Sequence, residues 1–220
     1  MSRLYVYALA GSHLPAFTAA GRHVYSLELE GIHVVVDRRS TLVKPSEEAL
    51  RCQHAVVEAV AARADAVLPA RFGSLVELDD IRGIVAARSD AIRAALETVR
   101  GCVQMTLRTS LGRQVPTTAH RTVSSSGRAG TAYLEAKRAA VVHPDPAVLE
   151  AIRGAITGLA RREHVQPGRG VVPPAVFHLV TKGQVTDYRS CIDEVAARMP
   201  GTPLRISGPW PAFAFTPELF

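Results

Sequence analysis

The chain has 220 residues, 47% of them apolar, enough to bury a core in one large domain or two small ones. Its mean hydropathy is barely positive, which excludes a disordered chain, and no apolar run approaches the roughly 20 residues a membrane span needs. A formal charge of +6 invites nucleic-acid binding, but only Lys44, Lys137 and Lys182 of the 26 basic residues are lysines and acids are interspersed, so a solvated, mildly basic surface is the better reading.

"LYVYALA" opens the chain. A secretory leader cut after Ala10 would fall short of the roughly 15 residues such signals require, so the segment reads as a strand and the protein as cytoplasmic. Leu4, Val6 and Ala8 should face one way, Tyr5, Tyr7 and Leu9 the other. "HVYSLEL" and "IHVVVD" follow as strands joined by a hairpin turn at Glu30-Gly31. Pro45 and Ser46 open a helix with Glu47 and Glu48 in its first turn, where the helix dipole favours anions. Its buried stripe is predicted at Leu50, His54, Val57 and Ala61, widened by Val56 and Val60, and it should stop near Asp65. "VLP" is a short extended piece. A second helix, capped by Asp79 or Asp80, repeats Ile81, Val85, Ile92, Leu96 and Val99 at helical spacing, and Gly101 ends it. "CVQMTLR" alternates as a half-exposed strand, with Val103, Met105 and Leu107 opposite Gln104, Thr106 and Arg108.

Residues 109–131 are rich in Ser, Thr and Gly without periodicity, and read as a linker or mobile loop. Helical patterning resumes at "AYLEAKRAAV". Pro144-Asp145-Pro146 starts a helix expected to run through "AVLEAIRGAITGLARRE". After "VQPGRGVVPP" come a strand, "AVFHLVTK", a helix with Val185, Tyr188, Ile192 and Val195 inward, and a strand, "LRISG", leading into "PWPAFAF". The expected fold class is α+β: a domain over residues 1–110, a linker over 111–130 and a second domain over 131–220 that carries an aromatic tail.

The local signatures of chemistry are absent: no GxxxxGK[ST] loop, no GxSxG elbow and no HExxH helix. Cys52, Cys102 and Cys191 are odd in number and widely spaced, which indicates buried free thiols rather than disulfides or zinc ligands. No cofactor or metal is expected. His54 lies on an apolar stripe, where a packed histidine is commoner than a base. In "LPARFG", Pro69 presets the backbone, Phe72 offers an apolar anchor and Gly73 permits positive φ. Arg71 is expected to pair with a carboxylate or a helix end, or to project into solvent. The segment reads as a turn that orients two helices, not as an active site. Trp210 lies between two prolines that cannot donate to a sheet ladder, so its strand must end there or run at an edge. With Phe213 and Phe215 it forms a stiff aromatic tail that packs on its own core or meets another protein.

"HAVVEAVAARADAVLPARFGSLVELDDI" with "LETVRGCVQMTLR" resembles the GvpF/GvpL family of gas vesicle proteins. The residues that carry the likeness are His54, Leu68, Pro69, Arg71, Phe72, Gly73 and the strand after Gly101. "LYVYALA", "AYLEAKR" and "GPWPAFAF" match family segments in the same order. Gln104 departs from the pattern, standing where an acidic residue is expected. The resemblance implies a two-domain α+β architecture with a ferredoxin-like C-terminal part. It also implies an accessory role in building gas vesicles, by binding the small hydrophobic shell protein and other accessory vesicle proteins, without catalysis or cofactor. Two other classes stand beside it. An enzyme would combine Arg71, His54 and an acid such as Asp79 in one pocket. A nucleic-acid binder would show a continuous positive face.

Overall fold

A computed structural model describes residues 3–109, 112–114, 141–169 and 172–218. Most of the expected linker, and the helical patterning at "AYLEAKR", lie outside the described residues; the part of the linker that is described, Gly112–Gln114, is a strand. Chain contacts divide the molecule into two compact units, one of Met1–Gln104 with Pro209–Phe220, the other of Met105–Gly208.

The first unit is built on β1 (Arg3–Ala10), β2 (Phe17–Ala19), β3 (Arg22–Leu29), β4 (Ile32–Arg39), β5 (Val67–Pro69) and β6 (Leu75–Glu77). They form an antiparallel sheet in the order β2-β3-β4-β1-β5, with β6 also on β1. From Leu4 onward β1 is buried throughout, as a central strand covered on both faces must be. Its side-chain alternation is not the regular one expected. The pairing with β4 shifts register between Val6 and Ala8, and a bulge of this kind resets which way the following side chains point. Ala8 and Ala10 therefore join Tyr5 and Tyr7 in one core cluster, where unbroken alternation would have put Leu9.

Helix α1 (Glu47–Ala61) starts as its sequence dictates, with the Ser46 hydroxyl accepting from the Ala49 amide at 3.1 Å and Glu47 and Glu48 in the first turn. The buried stripe is Gln53, Val56, Val57 and Val60. Leu50, expected inside, is 50% exposed. The helix turns Gln53 inward because two buried partners satisfy its amide: Oε1 accepts from the Tyr5 hydroxyl at 2.5 Å and Nε2 donates to the Ala70 carbonyl at 3.1 Å. Helix α2 (Leu78–Val99) buries Ile81, Val85, Ile92, Leu96 and Val99, as the spacing requires. Its N-cap is Glu77, and Asp79 and Asp80 occupy the first turn instead. Gly101 ends the segment at φ +67°, its amide donating to the Asp65 carbonyl at 2.8 Å.

The second unit contains β7 (Cys102–Thr109), which runs into it from the first, then β8 (Gly112–Gln114), β9 (Val141–Pro144) and α3 (Pro146–Ala155). β10 (Ala160–Gln166), β11 (Gly168–Arg169), β12 (Ala175–Thr181), α4 (Val185–Arg198) and β13 (Leu204–Trp210) follow. One sheet has the order β10-β12-β7-β13 and a smaller one β11-β9-β8. Two expectations are corrected. β7 is not half exposed: Gln104 and Thr106 are buried as well as Met105 and Leu107. α3 stops at Ala155 rather than running through "ARRE", because Gly158 turns left-handed at φ +82° and the next residues pair with β12. Both faces of β10 are largely exposed, so that strand carries no alternation for a sequence to display. On α4, Tyr188, Ile192 and Val195 are buried as expected, while Val185, also expected inward, is only half buried. Cys102 is buried, whereas Cys52 and Cys191 are only partly so; all three are free thiols.

A polar network threads the second core. Arg153 on α3 donates to Glu163 on β10 through Nη2 at 2.7 Å. Glu163 lies 3.1 Å from His178 Nε2, and His178 Nδ1 is 2.7 Å from the Tyr188 hydroxyl. Arg153 holds the Glu163 carboxyl below its usual range, so that group is ionised and can only accept. Burial pushes the Tyr188 hydroxyl up and His178 down. The arrangement therefore assigns the histidine proton to Nε2, with Nδ1 accepting from Tyr188.

Candidate functional site

The "LPARFG" segment shapes an edge of the first sheet. β5 and β6 pair with the same side of β1, Ala8 opposite Pro69 and Tyr5 opposite Leu75, both antiparallel. Residues 70–74 are thus a loop thrown out of one interrupted strand line. Its two ends stay anchored: the Ala70 amide donates to the Tyr7 carbonyl and the Val6 amide to the Ser74 carbonyl, each at 2.8 Å. Inside the loop the Ser74 hydroxyl donates to the Arg71 carbonyl at 2.8 Å, and Gly73 adopts φ +89°. The Gly73 amide donates to the buried Tyr5 hydroxyl at 2.9 Å, and that same hydroxyl donates to Gln53. The turn thus links two strands rather than two helices directly, and α1 holds its apex through Gln53 and Tyr5. Phe72 is only half buried, so it is not the deep anchor its size suggested.

Each residue singled out by sequence has a definite place. Arg71 is exposed and pairs with Glu218 in the C-terminal tail. His54, half exposed on α1, meets the edge of Trp210 with ring centres 5.4 Å apart and stacks on Phe213 at 6.2 Å. Its Nε2 lies 3.2 Å from the Glu58 carboxylate. Pro69 ends β5, and the 3-10 turn Phe213–Phe215 packs against that strand. The two motifs that looked separate in the sequence, the "LPARFG" loop and the aromatic tail, therefore meet on one face of the first unit. The enzyme reading asked for Arg71, His54 and Asp79 together, but each has its own partner: Glu218, Glu58 and Arg82 respectively.

Three further residues hold this site, none of which the sequence alone ties to it. Gln104, buried in β7, accepts from the Ala214 amide through Oε1 at 2.7 Å and so fastens the 3-10 turn. A carboxylate could accept the same bond, so the departure from an acidic residue leaves the contact possible. Arg88 on α2 donates to the Glu218 carbonyl at 2.6 Å, and Glu218 answers Arg71. All three are long-range contacts, invisible to spacing. The resulting surface carries Phe213, 39% exposed, and on the same face of α1 as His54, one turn earlier, the exposed Leu50.

Among the described residues no group of three or more His, Cys, Asp or Glu side chains could hold a metal. No described helix is long and apolar enough to cross a membrane. Several arginines pair with carboxylates three or four residues away in the chain, as in Arg51–Glu47, Arg82–Asp79, Arg93–Asp90, Arg100–Glu97 and Arg198–Glu194.

A family model described as "Gas vesicle synthesis protein GvpL/GvpF" matches residues 3–217. The crystal structure of the gas vesicle protein GvpF from Anabaena sp. PCC7120 is similar at a TM-score of 0.73 and 12% identity, covering 99% of both chains. That of GvpF from Microcystis aeruginosa is similar at 0.72 and 11% identity, covering 97% of this chain and 98% of the other. No curated protein sequence matches.

Proposed function

Because the chain belongs to the GvpL/GvpF family of gas vesicle synthesis proteins, we propose that it binds the small hydrophobic shell protein and other accessory proteins during vesicle assembly. It transforms no substrate, and it works in the cytoplasm and at the vesicle. The observation that carries this reading is the family match along residues 3–217.

The physics of the task supports it. A shell protein that polymerises through apolar surface and strand edges is an aggregation hazard before it reaches the wall. A partner that covers that surface and then releases it removes the hazard. Trp210, Phe213 and His54 form the contact surface, rigid aromatic groups that lose little entropy on binding. Pro69, Arg71, Phe72 and Gly73 hold the loop against which the tail is docked. In this reading the chain has two domains and the second is ferredoxin-like. Its main sheet, β13-β7-β12-β10, with α3 between β7 and β10 and α4 between β12 and β13, supports that assignment.

The test is co-expression with the shell protein, with and without this chain, followed by affinity capture. Soluble shell protein should rise, a complex should be recovered, and Phe213→Asp should lose it while keeping the fold. Unchanged shell solubility with no complex recovered would overturn the proposal.

A further inference from the structure

A second feature of the first unit is independent of the partner-binding face. At the start of β3 and the end of β4 lies a cleft of about 540 Å³, lined by Gly21, Arg22, His23, Tyr25, Asp37 and Arg38. That volume lies within the roughly 300–1,000 Å³ range of small-molecule sites. Its one acid is already compensated. Asp37 is 4% exposed, receives Arg39 Nε at 3.0 and 3.1 Å on its two oxygens, and accepts from the Tyr7 hydroxyl at 3.0 Å. Its bases are not. Arg22, His23, Tyr25 and Arg38 make no side-chain hydrogen bond or ion pair among the described residues.

Nine other arginines, Arg3, Arg39, Arg51, Arg71, Arg82, Arg93, Arg100, Arg153 and Arg198, each have a carboxylate partner, whereas Arg22 and Arg38 have none among the described residues. Both of these arginines line the cleft, and a guanidinium carries forked donors matched to oxyanions. The tight turn before β3, with Ala20 at φ +48° and Gly21 at φ +70°, leaves the mouth open, since a Cβ at Gly21 would meet nothing within 4 Å.

We propose that this cleft binds a small oxyanionic molecule, its phosphate or carboxylate group held between Arg22 and Arg38 and its remainder against His23 and Tyr25. Double-stranded polyanions read an extended row of charges, which two arginines in a cleft do not supply.

The experiment is calorimetric titration of the full chain at about 20 mM salt, where screening is weak, using inorganic pyrophosphate in one arm and citrate in the other. Saturable one-site binding of either probe is expected, and the tighter probe assigns the group as phosphate or carboxylate. The exposed pair Arg22→Ala/Arg38→Ala should weaken it at least about tenfold through loss of charge-assisted bonds. The charge-matched control Arg162→Ala/Arg205→Ala should leave it unchanged. No saturable binding of either anion, or equal weakening by the control pair, would overturn the proposal.

Discussion

Gln53→Ala is the most informative single change, because one buried amide supports both the core and the "LPARFG" loop. Gln53 is 7% exposed, and its side chain closes bonds of 2.5 Å to Tyr5 and 3.1 Å to Ala70. Truncation leaves the Tyr5 hydroxyl proton and the Ala70 carbonyl buried without those partners, at about 1–3 kcal/mol each. The combined loss should be about 2–6 kcal/mol, which for a unit of this size lowers the melting temperature by about 6–24 °C. Far-UV circular dichroism during heating measures that shift. Tyr5→Phe removes the other end of the same bond and also the acceptor for the Gly73 amide, so the two changes should not add. A double-mutant cycle should show a coupling of about 1 kcal/mol or more. Exchange of the Gly73 amide should quicken in both variants. A fall of less than about 3 °C for Gln53→Ala, or simple additivity of the pair, would refute the claim that this bond pins the loop.

Gly73→Ala should cost about 1–2 kcal/mol by strain alone, since its Cβ would meet nothing within 4 Å and φ is +89°; a chemical-denaturation midpoint reads it. Gln104→Leu should leave the Ala214 amide without its acceptor and loosen the tail. The emission of Trp210, the one tryptophan in the chain, should then shift to the red while far-UV dichroism stays unchanged. Acid should weaken the second unit in two stages. Burial holds His178 below its ordinary 6.5, so the unfolded chain takes up a proton the folded one refuses, and stability falls as pH drops below about 6.5. Glu163 is held below its ordinary 4.5, chiefly by Arg153, so its contribution persists above that value and goes as pH falls through the lowered one. Melting followed from pH 7 to 5 should show the first stage, and His178→Gln should flatten it.

Elements whose fate depends on local rules were legible in the sequence. Ser46 capping α1, the stripe of α2, the left-handed stop at Gly101 and the inner face of α4 all follow from spacing or backbone preference. Failures came where a distant partner decides. Leu50 is the stronger hydrophobe, yet Gln53 turns inward because Tyr5 and Ala70 wait for it 48 and 17 residues away. The bulge in β1 re-aims Ala8 with no Gly or Pro to announce it. Thr106 and Gln104 look like a solvent face, but β7 is an inner strand of its sheet. At the site, the sequence named Arg71, His54 and Trp210 while nothing in it joined them. Glu218, Arg88 and Gln104 supply the joins, and each acts across a gap in the chain that no periodicity spans.

The division of the chain into its two units has a consequence for synthesis. The first unit is interrupted: everything from Met105 to Gly208 is spelled out before its closing piece, Pro209–Phe220, is added. On the ribosome, β1, α1 and the loop they hold can form early, yet His54, Arg71 and Gln104 must wait for Trp210, Glu218 and Ala214. The aromatic face is therefore completed only after the whole of the intervening unit has been made, which withholds it from any partner until then.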